Sequence, residues 1–292
     1  MKTHAEFDPG DERMARAAWS RLAEPDDHDA QDRVAADGAP AALAQVLSGR
    51  GPVRWQERRR DLNPARDIAD LHTLGGRILI PGDPEWPGQL AALDTEAPFC
   101  LWVRGPLHLG TATTRSTALT GARAATAYGE HVAADLGEGC ARREITVISG
   151  AAYGVDGAAH RGALAADGAT IAVLACGVDQ AYPRAHDQLI WRITQTGAVI
   201  SELPPRSAPN RIRFIARNRL IAALSGVSVI VEAAHRSGAL AVAAQAARLG
   251  HPVGGVPGPI TSPGSVGVHQ LLRRGAVCVT SAAELAELLQ PQ

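Results

Sequence analysis

The chain has 292 residues, of which 46% are apolar and 20% are charged, with 29 basic against 30 acidic side chains. This composition predicts a soluble globular protein of about two domains, and the charge balance argues against a protein that coats nucleic acid through bulk positive charge. Lys2 is the only lysine, which excludes a Walker-type nucleotide hydrolase.

Residues 1–70 predict a small helical domain. Met14 to Leu22 and Ala39 to Leu47 have the composition of short helices, separated by acidic or Gly/Pro-containing stretches. The charged residues of this predicted domain are either only exposed to solvent, or they form an auxiliary contact surface for a partner or nucleic acid. The N-terminus lacks the apolar stretch of a signal peptide, and no apolar run reaches the roughly 18 residues of a membrane span. We therefore expect a cytoplasmic protein without membrane contact.

Residues 71–292 predict an α/β domain. Short apolar strands alternate with helices of about ten residues, a pattern that builds a doubly wound, mostly parallel sheet of the extended Rossmann-like type. Such sheets bind ligands at the carboxyl ends of their strands. The predicted strands are 78–80, 101–103, 117–120, 145–149, 170–175, 198–201, 227–231, 252–256 and 276–280. The predicted helices are 127–136, 155–166, 185–195, 215–224, 239–249, 266–273 and 281–289.

Glycines follow several predicted strands, among them Gly121, Gly150 and Gly238. Because glycine has no Cβ, backbone N–H groups there can approach a phosphate or carboxylate, and the start of the next helix adds positive potential. The segment from Ser149 to Asp156 follows a strand and opens a helix. Its glycines at 150 and 154 do not fit G-x-G-x-x-G, so we expect neither a standard dinucleotide site nor a bound cofactor.

Candidate catalytic groups are few. Asp156 and His160 share a helix face, which suits either half of a hydrolytic dyad or a helix cap beside a packed histidine. Glu202 and Glu232 end strands, where they serve acid–base chemistry or pair with arginines and cap helices. The four cysteines are far apart in sequence and the histidines lack metal-ligand spacing, so we expect buried reduced thiols and no metal site.

Positive charge is concentrated between Leu203 and Val231, a stretch that contains no Asp or Glu. The guanidinium group of an arginine can bind two phosphate oxygens at once. A helix is also predicted to begin near Arg217 and Arg219, and the first turn of a helix has free N–H groups. Phe214 is either a core anchor or a ring on which a base stacks. The five arginines of this segment are Arg206, Arg211, Arg213, Arg217 and Arg219.

Eleven motifs in a fixed order make residues 77–280 resemble the DprA/Smf DNA-processing family. They are ILIPGDPEWPGQL (78–90), LWVRG (101–105), TGAR (120–123), SGAAYGVDGAAH (149–160), GVDQAYP (177–183), ISE (200–202), ARNRLIAALS (216–225), VEA (231–233), SGAL (237–240), VPG (256–258) and RGA (274–276). Residues 1–70 resemble the SAM-like domain of some members more loosely. The C-terminal winged helix of other members is not expected, since the sequence ends one helix after Thr280.

The resemblance implies a protein that binds single-stranded DNA, loads the RecA recombinase during natural transformation and forms a homodimer, with no catalytic turnover. The DNA-binding residues that it implies are Arg123, Arg184, Arg211, Phe214, Arg217 and Arg219. The glycines that it places in a phosphate pocket are Gly121, Gly150, Gly154 and Gly238.

Four positions depart from the family pattern. Ile215 replaces a proline after the phenylalanine, His186 and His269 stand where asparagine is usual, and Ala239 replaces a small polar residue. Two other functions remain open on sequence grounds. One is a nucleotide phosphoribohydrolase, although the stretch 232–244 lacks the acid that such enzymes carry after their glycine turn. The other is an interaction module that senses a nucleotide.

Overall fold

The computed structural model describes residues 7–290. Five helices precede the sheet: α1 (Glu12–Leu22), α2 (His28–Asp37), α3 (Ala39–Leu47), α4 (Val53–Arg59) and α5 (Pro64–Thr73). Trp19 and Trp55 are fully buried at their centre and meet edge-on, with ring centroids 5.2 Å apart. The hydrophobic cluster around these rings is separate from those that flank the sheet.

Nine strands form one sheet. They are β1 (Gly76–Leu79), β2 (Leu101–Arg104), β3 (Ser116–Thr120), β4 (Thr146–Ser149), β5 (Thr170–Val173), β6 (Ala198–Ser201), β7 (Val227–Ile230), β8 (Val253–Gly255) and β9 (Val277–Cys278). Their order is β1-β2-β6-β5-β4-β3-β7-β8-β9. All neighbours are parallel except β1 with β2 and β2 with β6, which are antiparallel.

Helices cover both faces of this sheet, as the alternation in the sequence predicts. They are α6 (Leu109–Ala112), α7 (Ala127–Ala141), α8 (Val155–Ala165), α9 (Asp187–Thr196), α10 (Arg211–Ala223), α11 (Ala239–Arg248), α12 (Val266–Arg273) and α13 (Ala282–Glu287). From β3 the chain adds β4, β5 and β6 on one side and later β7, β8 and β9 on the other. The order of strands therefore reverses between β3 and β7, and the expected doubly wound, mostly parallel α/β fold is confirmed.

One helix begins earlier than its sequence indicates. The prediction placed its start at Ile215, but α10 starts at Arg211. The reason is Asn210, whose side chain accepts a hydrogen bond from the backbone N–H of Arg213 at 2.9 Å and so caps the helix. Arg217 and Arg219 consequently lie inside the helix, and the expectation that they flank its free N–H groups is wrong.

Three of the four cysteines have the predicted buried setting. Cys100, Cys140 and Cys176 are buried, and desolvation raises the pKa of each thiol to about 12. Cys278 departs from the prediction because it lies exposed on the last strand of the sheet. Within residues 7–290, no helix combines the length and apolar character that a bilayer crossing requires.

Candidate nucleic-acid interface

A cleft of about 980 Å³ opens at the carboxyl ends of β3 and β7, where the strand order reverses. Its walls are the turn after β3 (residues 120–124), the turn after β7 (residues 234 and 236–239) and the first two turns of α10. Open parallel sheets bind their ligands at this kind of switch point, because the two turns diverge and leave a crevice. The fold thus places the cleft where a ligand is expected.

The cleft is lined by four arginines and one carboxylate. Three of the guanidinium groups, those of Arg123, Arg211 and Arg236, are on exposed residues, and Arg217 lies below them. None of the four forms an ion pair with an acid in residues 7–290; the ion pairs near this segment involve other arginines. Unpaired cations around a crevice create a positive potential suited to a polyanion.

The single carboxylate in the cleft, Asp156, is engaged in shaping the turn after β4. It accepts hydrogen bonds from Thr120 Oγ1 at 2.7 Å, from the Gly150 N–H at 3.2 Å and from the Ala152 N–H at 3.3 Å. Three donors satisfy the buried anion locally. Asp156 therefore holds two strand-end turns together; its charge acts on Arg217 from a distance, but it forms no direct ion pair with the cleft arginines.

His160 does not form a dyad with Asp156. Its Nδ1 lies 2.7 Å from Thr170 Oγ1, the residue is fully buried, and desolvation lowers the pKa of its imidazole to about 3. The packed-histidine part of the structural interpretation is confirmed, but Asp156 does not cap α8, whose N-terminus has no side-chain cap. The hydrolytic interpretation of the pair is wrong.

Arg217 forms the floor of the cleft. The residue is only 5% exposed, and its Nη1 donates to the carbonyl oxygens of Gly150, at 3.1 Å, and Val173. Its Nε has no hydrogen-bond partner in the described part of the chain, and burial lowers the pKa of its guanidinium. Gly150 makes this position possible, because a Cβ there would lie 2.5 Å from Nη1.

Phe214 lies between cations rather than inside a hydrophobic core. Its half-buried ring is 4.7 Å from Arg123 Cζ and 5.8 Å from Arg217 Cζ, measured to the ring centroid. The ring of Tyr182 packs on it at 5.3 Å between centroids. Both aromatic residues line the cleft, which supports the base-stacking interpretation of Phe214 over the core-anchor one.

The four predicted pocket glycines divide into two pairs. Gly121 and Gly238 line the cleft, and a Cβ at Gly238 would meet nothing within 4 Å. Gly150 and Gly154 are buried beneath it. Gly154 has φ +70° at the start of α8, and a Cβ there would lie 2.6 Å from the Arg123 carbonyl oxygen. Gly150 and Gly154 thus shape the cleft from below by close packing.

Two predicted DNA-binding arginines do not line the cleft. Arg219 is buried in α10, where its Nη1 and Nη2 bind the Glu202 carboxylate at 2.7 and 2.6 Å. Arg184 is exposed in the 3-10 turn Arg184–His186, beyond Tyr182. The structure therefore brings together Arg123, Arg211, Phe214 and Arg217, and it places Arg219 in an internal ion pair.

The two glutamates at strand ends are both engaged in structural contacts. Glu232 accepts from the Thr126 N–H at 2.8 Å and from Thr126 Oγ1 at 2.7 Å, next to the start of α7. Glu202 holds Arg219. The capping and ion-pairing interpretation of these acids is confirmed, and paired acid–base chemistry is not supported. Among residues 7–290, no group of three or more His, Cys, Asp or Glu is arranged to bind a metal ion.

Sequence reasoning missed several residues of the cleft, namely Arg236, Tyr182, Asn210 and Asn218. A signal was present for two of them. Arg236 lies two residues before Gly238, one of the glycines that follow predicted strands. Asn210 has the residue type and position of a helix cap. Tyr182 reaches the cleft through packing on Phe214, which no local pattern reveals.

Comparison with known proteins identifies close relatives of this chain. The family model for DNA recombination-mediator protein A matches residues 77–290. A putative DNA processing protein DprA of Mycobacterium tuberculosis is 45% identical over 278 residues, which covers 85% of this chain and 71% of that protein. Protein Smf of Escherichia coli is 42% identical over 214 residues, which covers 73% of this chain and 56% of that protein.

Two solved structures share the fold. The X-ray structure of DprA from Streptococcus pneumoniae superposes with a TM-score of 0.80 at 28% identity and covers 96% of this chain and 98% of that one. The DprA structure from Helicobacter pylori, described for its unique mode of single-stranded DNA binding, gives a TM-score of 0.66 at 29% identity. It covers 73% of this chain and 95% of that one.

Proposed function

This chain belongs to the DNA recombination-mediator protein A family, and we propose that it binds single-stranded DNA in the cleft between β3 and β7. The observation that carries the proposal is the charge of that cleft. Four guanidinium groups line it without an ion-pair partner in the described residues, and its one carboxylate already accepts three hydrogen bonds.

The geometry assigns each cleft residue a different contact. Arg123, Arg211 and Arg236 are exposed, so each guanidinium group can bind two phosphate oxygens. Arg217 adds positive charge from the floor of the cleft. The face of Phe214 offers a stacking platform for one base, as in other single-strand binders. Phosphates and ring faces carry no base identity, so we expect binding that tolerates any sequence.

We propose binding without turnover. Hydrolysis of a nucleotide needs an available acid or base, whereas Asp156, Glu202 and Glu232 are all held by hydrogen bonds or an ion pair. Release of free base from nucleoside monophosphates by the purified protein would favour the phosphoribohydrolase function instead. A thermal shift by mononucleotides as large as that by oligonucleotides would favour a nucleotide sensor.

Family membership also supports finer proposals. We propose that the protein loads RecA onto the bound strand, acts as a homodimer in the cytoplasm and folds residues 1–70 as a separate helical domain. RecA loading is tested by measuring whether RecA filaments assemble faster on single strands coated with this protein. Light scattering measures whether the protein is a homodimer. Two resolved calorimetric transitions are expected if residues 1–70 fold as a separate domain. The separate hydrophobic cluster around Trp19 and Trp55 supports that domain division.

The cleft assignment is tested by fluorescence anisotropy with single- and double-stranded oligonucleotides at two salt concentrations. We expect preference for the single strand, with a log–log salt slope of about -0.7 per phosphate contacted. The double variant Arg123→Ala/Arg211→Ala should reduce affinity for every sequence alike and flatten that slope. Unchanged affinity in this variant would refute the assignment.

A further inference from the structure

The chain has eleven aromatic residues on which a base could stack: five tryptophans, three tyrosines and three phenylalanines. One tyrosine and one phenylalanine, Tyr182 and Phe214, already line the cleft. A second tyrosine, Tyr153, lies outside it and is 48% exposed. Its ring centroid is 5.1 Å from that of His186, and the two planes meet at 69°. This contact covers at most one face of the tyrosine ring, so a flat surface remains open.

Tyr153 is held beside the cleft by the turn after β4. The preceding residue, Ala152, lines the cleft. Gly154, which follows, packs so tightly against the turn after β3 that a Cβ would lie 2.6 Å from the Arg123 carbonyl oxygen. His186 is 9% exposed, and its Nδ1 is 3.0 Å from the carbonyl oxygen of Ala151. The ring is thus positioned by neighbours on both sides.

Two exposed arginines lie near His186, the residue that contacts this ring, in sequence or in space. Arg184 is exposed two residues before His186. Arg161 is also exposed, and it lies beside His186 over Gly157. A Cβ built on Gly157 would be 3.1 Å from Arg161 Nη1 and 2.6 Å from His186 Cε1. The acid nearest to Arg184 in sequence is the exposed Asp187, which starts α9. Among the described residues neither arginine forms an ion pair with it or with another acid.

We propose that Tyr153 is a second stacking site for the strand that occupies the cleft. The Phe214 ring contacts that of Tyr182, 5.3 Å away between centroids. Arg184 and His186 follow Tyr182 in the chain, and the His186 ring contacts that of Tyr153. An unpaired base stacks on the open face of Tyr153, and the adjacent phosphates contact Arg184 and Arg161. The inference rests on the proposed function, because it extends the same strand beyond the cleft.

The test compares oligothymidylates of about four and about sixteen nucleotides, the limits that single-strand sites usually span. Tyr153→Leu keeps the apolar bulk and removes the ring, Tyr153→Phe keeps the ring, and Trp191→Leu removes an exposed ring on α9. We expect Tyr153→Leu to weaken binding of the longer oligonucleotide about fivefold, the lower limit for loss of one stacked base. Binding of the shorter one should be unchanged, and the two other variants should match the parent.

Photocrosslinking of the longer strand carrying 5-iodouracil gives an independent readout, with Tyr153 expected among the crosslinked residues. An unchanged affinity of Tyr153→Leu for the longer strand, or an equal loss for both lengths, would overturn the second site. If the parent protein binds neither oligonucleotide, the proposed function itself fails, and that result is distinct from either of these. Circular dichroism of each variant checks that the fold is intact.

Discussion

Two groups of arginines come from the same stretch of chain but have different surroundings. Those of the first group form ion pairs with acids from other segments: Arg206 with Asp67 and Asp70, Arg213 with Glu24, and Arg219 with Glu202. Those of the second group, Arg211 and Arg217, line the cleft without such a partner in the described residues. Arg123 and Arg236 join them there from the turns after β3 and β7.

The difference shows that a local charge pattern does not identify free cations. The stretch from 203 to 231 has no acid of its own, yet three of its five arginines are neutralised. Arg213 and Glu24 are 189 positions apart, and Arg206 and Asp67 are 139 apart. The helical N-terminal region supplies these acids, so its packing against the sheet decides which arginines remain available.

The largest effect is expected from the buried member of the paired group. The Arg219 and Glu202 side chains are 6% and 8% exposed, and removing one partner leaves a buried charge uncompensated. Glu202→Ala should therefore lower the free energy of unfolding in urea by about 3–5 kcal/mol. DNA affinity of the folded protein should stay at the parent level.

A matched control replaces both partners. Arg219→Met combined with Glu202→Leu should recover most of the lost stability, because apolar side chains of similar size remove the desolvation cost as well as the attraction. If Glu202→Ala instead weakened DNA binding while stability was retained, Arg219 would belong with the cleft arginines and the division into two groups would be wrong.

Arg217 tests the boundary between the groups, because it lines the cleft and also supports the fold. Arg217→Ala leaves the carbonyl oxygens of Gly150 and Val173 without this donor. We expect a loss of about 1–3 kcal/mol in unfolding free energy together with weaker binding of single-stranded DNA. Arg211→Ala is the control: it should weaken binding and change stability by no more than about 0.5 kcal/mol. Parent-like stability of Arg217→Ala would make it a cleft residue only.

The fold was predictable because its pattern is local. Every predicted strand and each helix from residue 117 onward is present, with ends that differ by a few residues, since apolar runs and glycine turns repeat with the period of a parallel sheet. The predicted helices do not include α2, α4, α5 and α6. α4, with sequence VRWQERR, buries only Trp55, so its amphipathic signal is weak.

The residues of the cleft were predictable in part, and placing the start of α10 at Arg211 instead of Ile215 would have identified more of them. With α10 beginning at Arg211, positions 211, 214, 215 and 218 follow the i, i+3, i+4, i+7 spacing of one helix face, and all four line the cleft. Arg219 falls on one flank of this face, and Arg213, two positions after Arg211, falls on the opposite side of the helix. Pairing of Glu202 with an arginine is one of the alternatives that the sequence offers, whereas Glu24, the partner of Arg213, could not be inferred, because an ion pair between distant segments exists only after the chain has folded.

A smaller effect is expected at Glu24, which joins α10 to the helical region. Arg213 Nε and Nη2 each lie 2.9 Å from a carboxylate oxygen of Glu24, and Arg58 binds the same group. Burial alone would raise the pKa of Glu24, but these arginines hold it below its ordinary value of 4.5. A carboxyl with a lowered pKa in the folded state contributes stability at pH values above 4.5 and loses it as the pH falls through the folded value.

A double-mutant cycle of Glu24→Gln and Arg213→Gln measures this contribution. Both side chains are partly exposed, at 21% and 16%, so we expect a coupling of about 0.5–1 kcal/mol at neutral pH, which should decline in acid. Arg213 lies on the side of α10 opposite the cleft face, so Glu24→Gln releases a cation on the same helix without adding one to the cleft. Affinity at low salt should then rise slightly and the rise should vanish at high salt. A coupling that survives at acid pH would contradict the role of the ionised Glu24 carboxylate in this pair. An affinity gain as large as the loss in Arg211→Ala would place Arg213 among the DNA-contacting arginines.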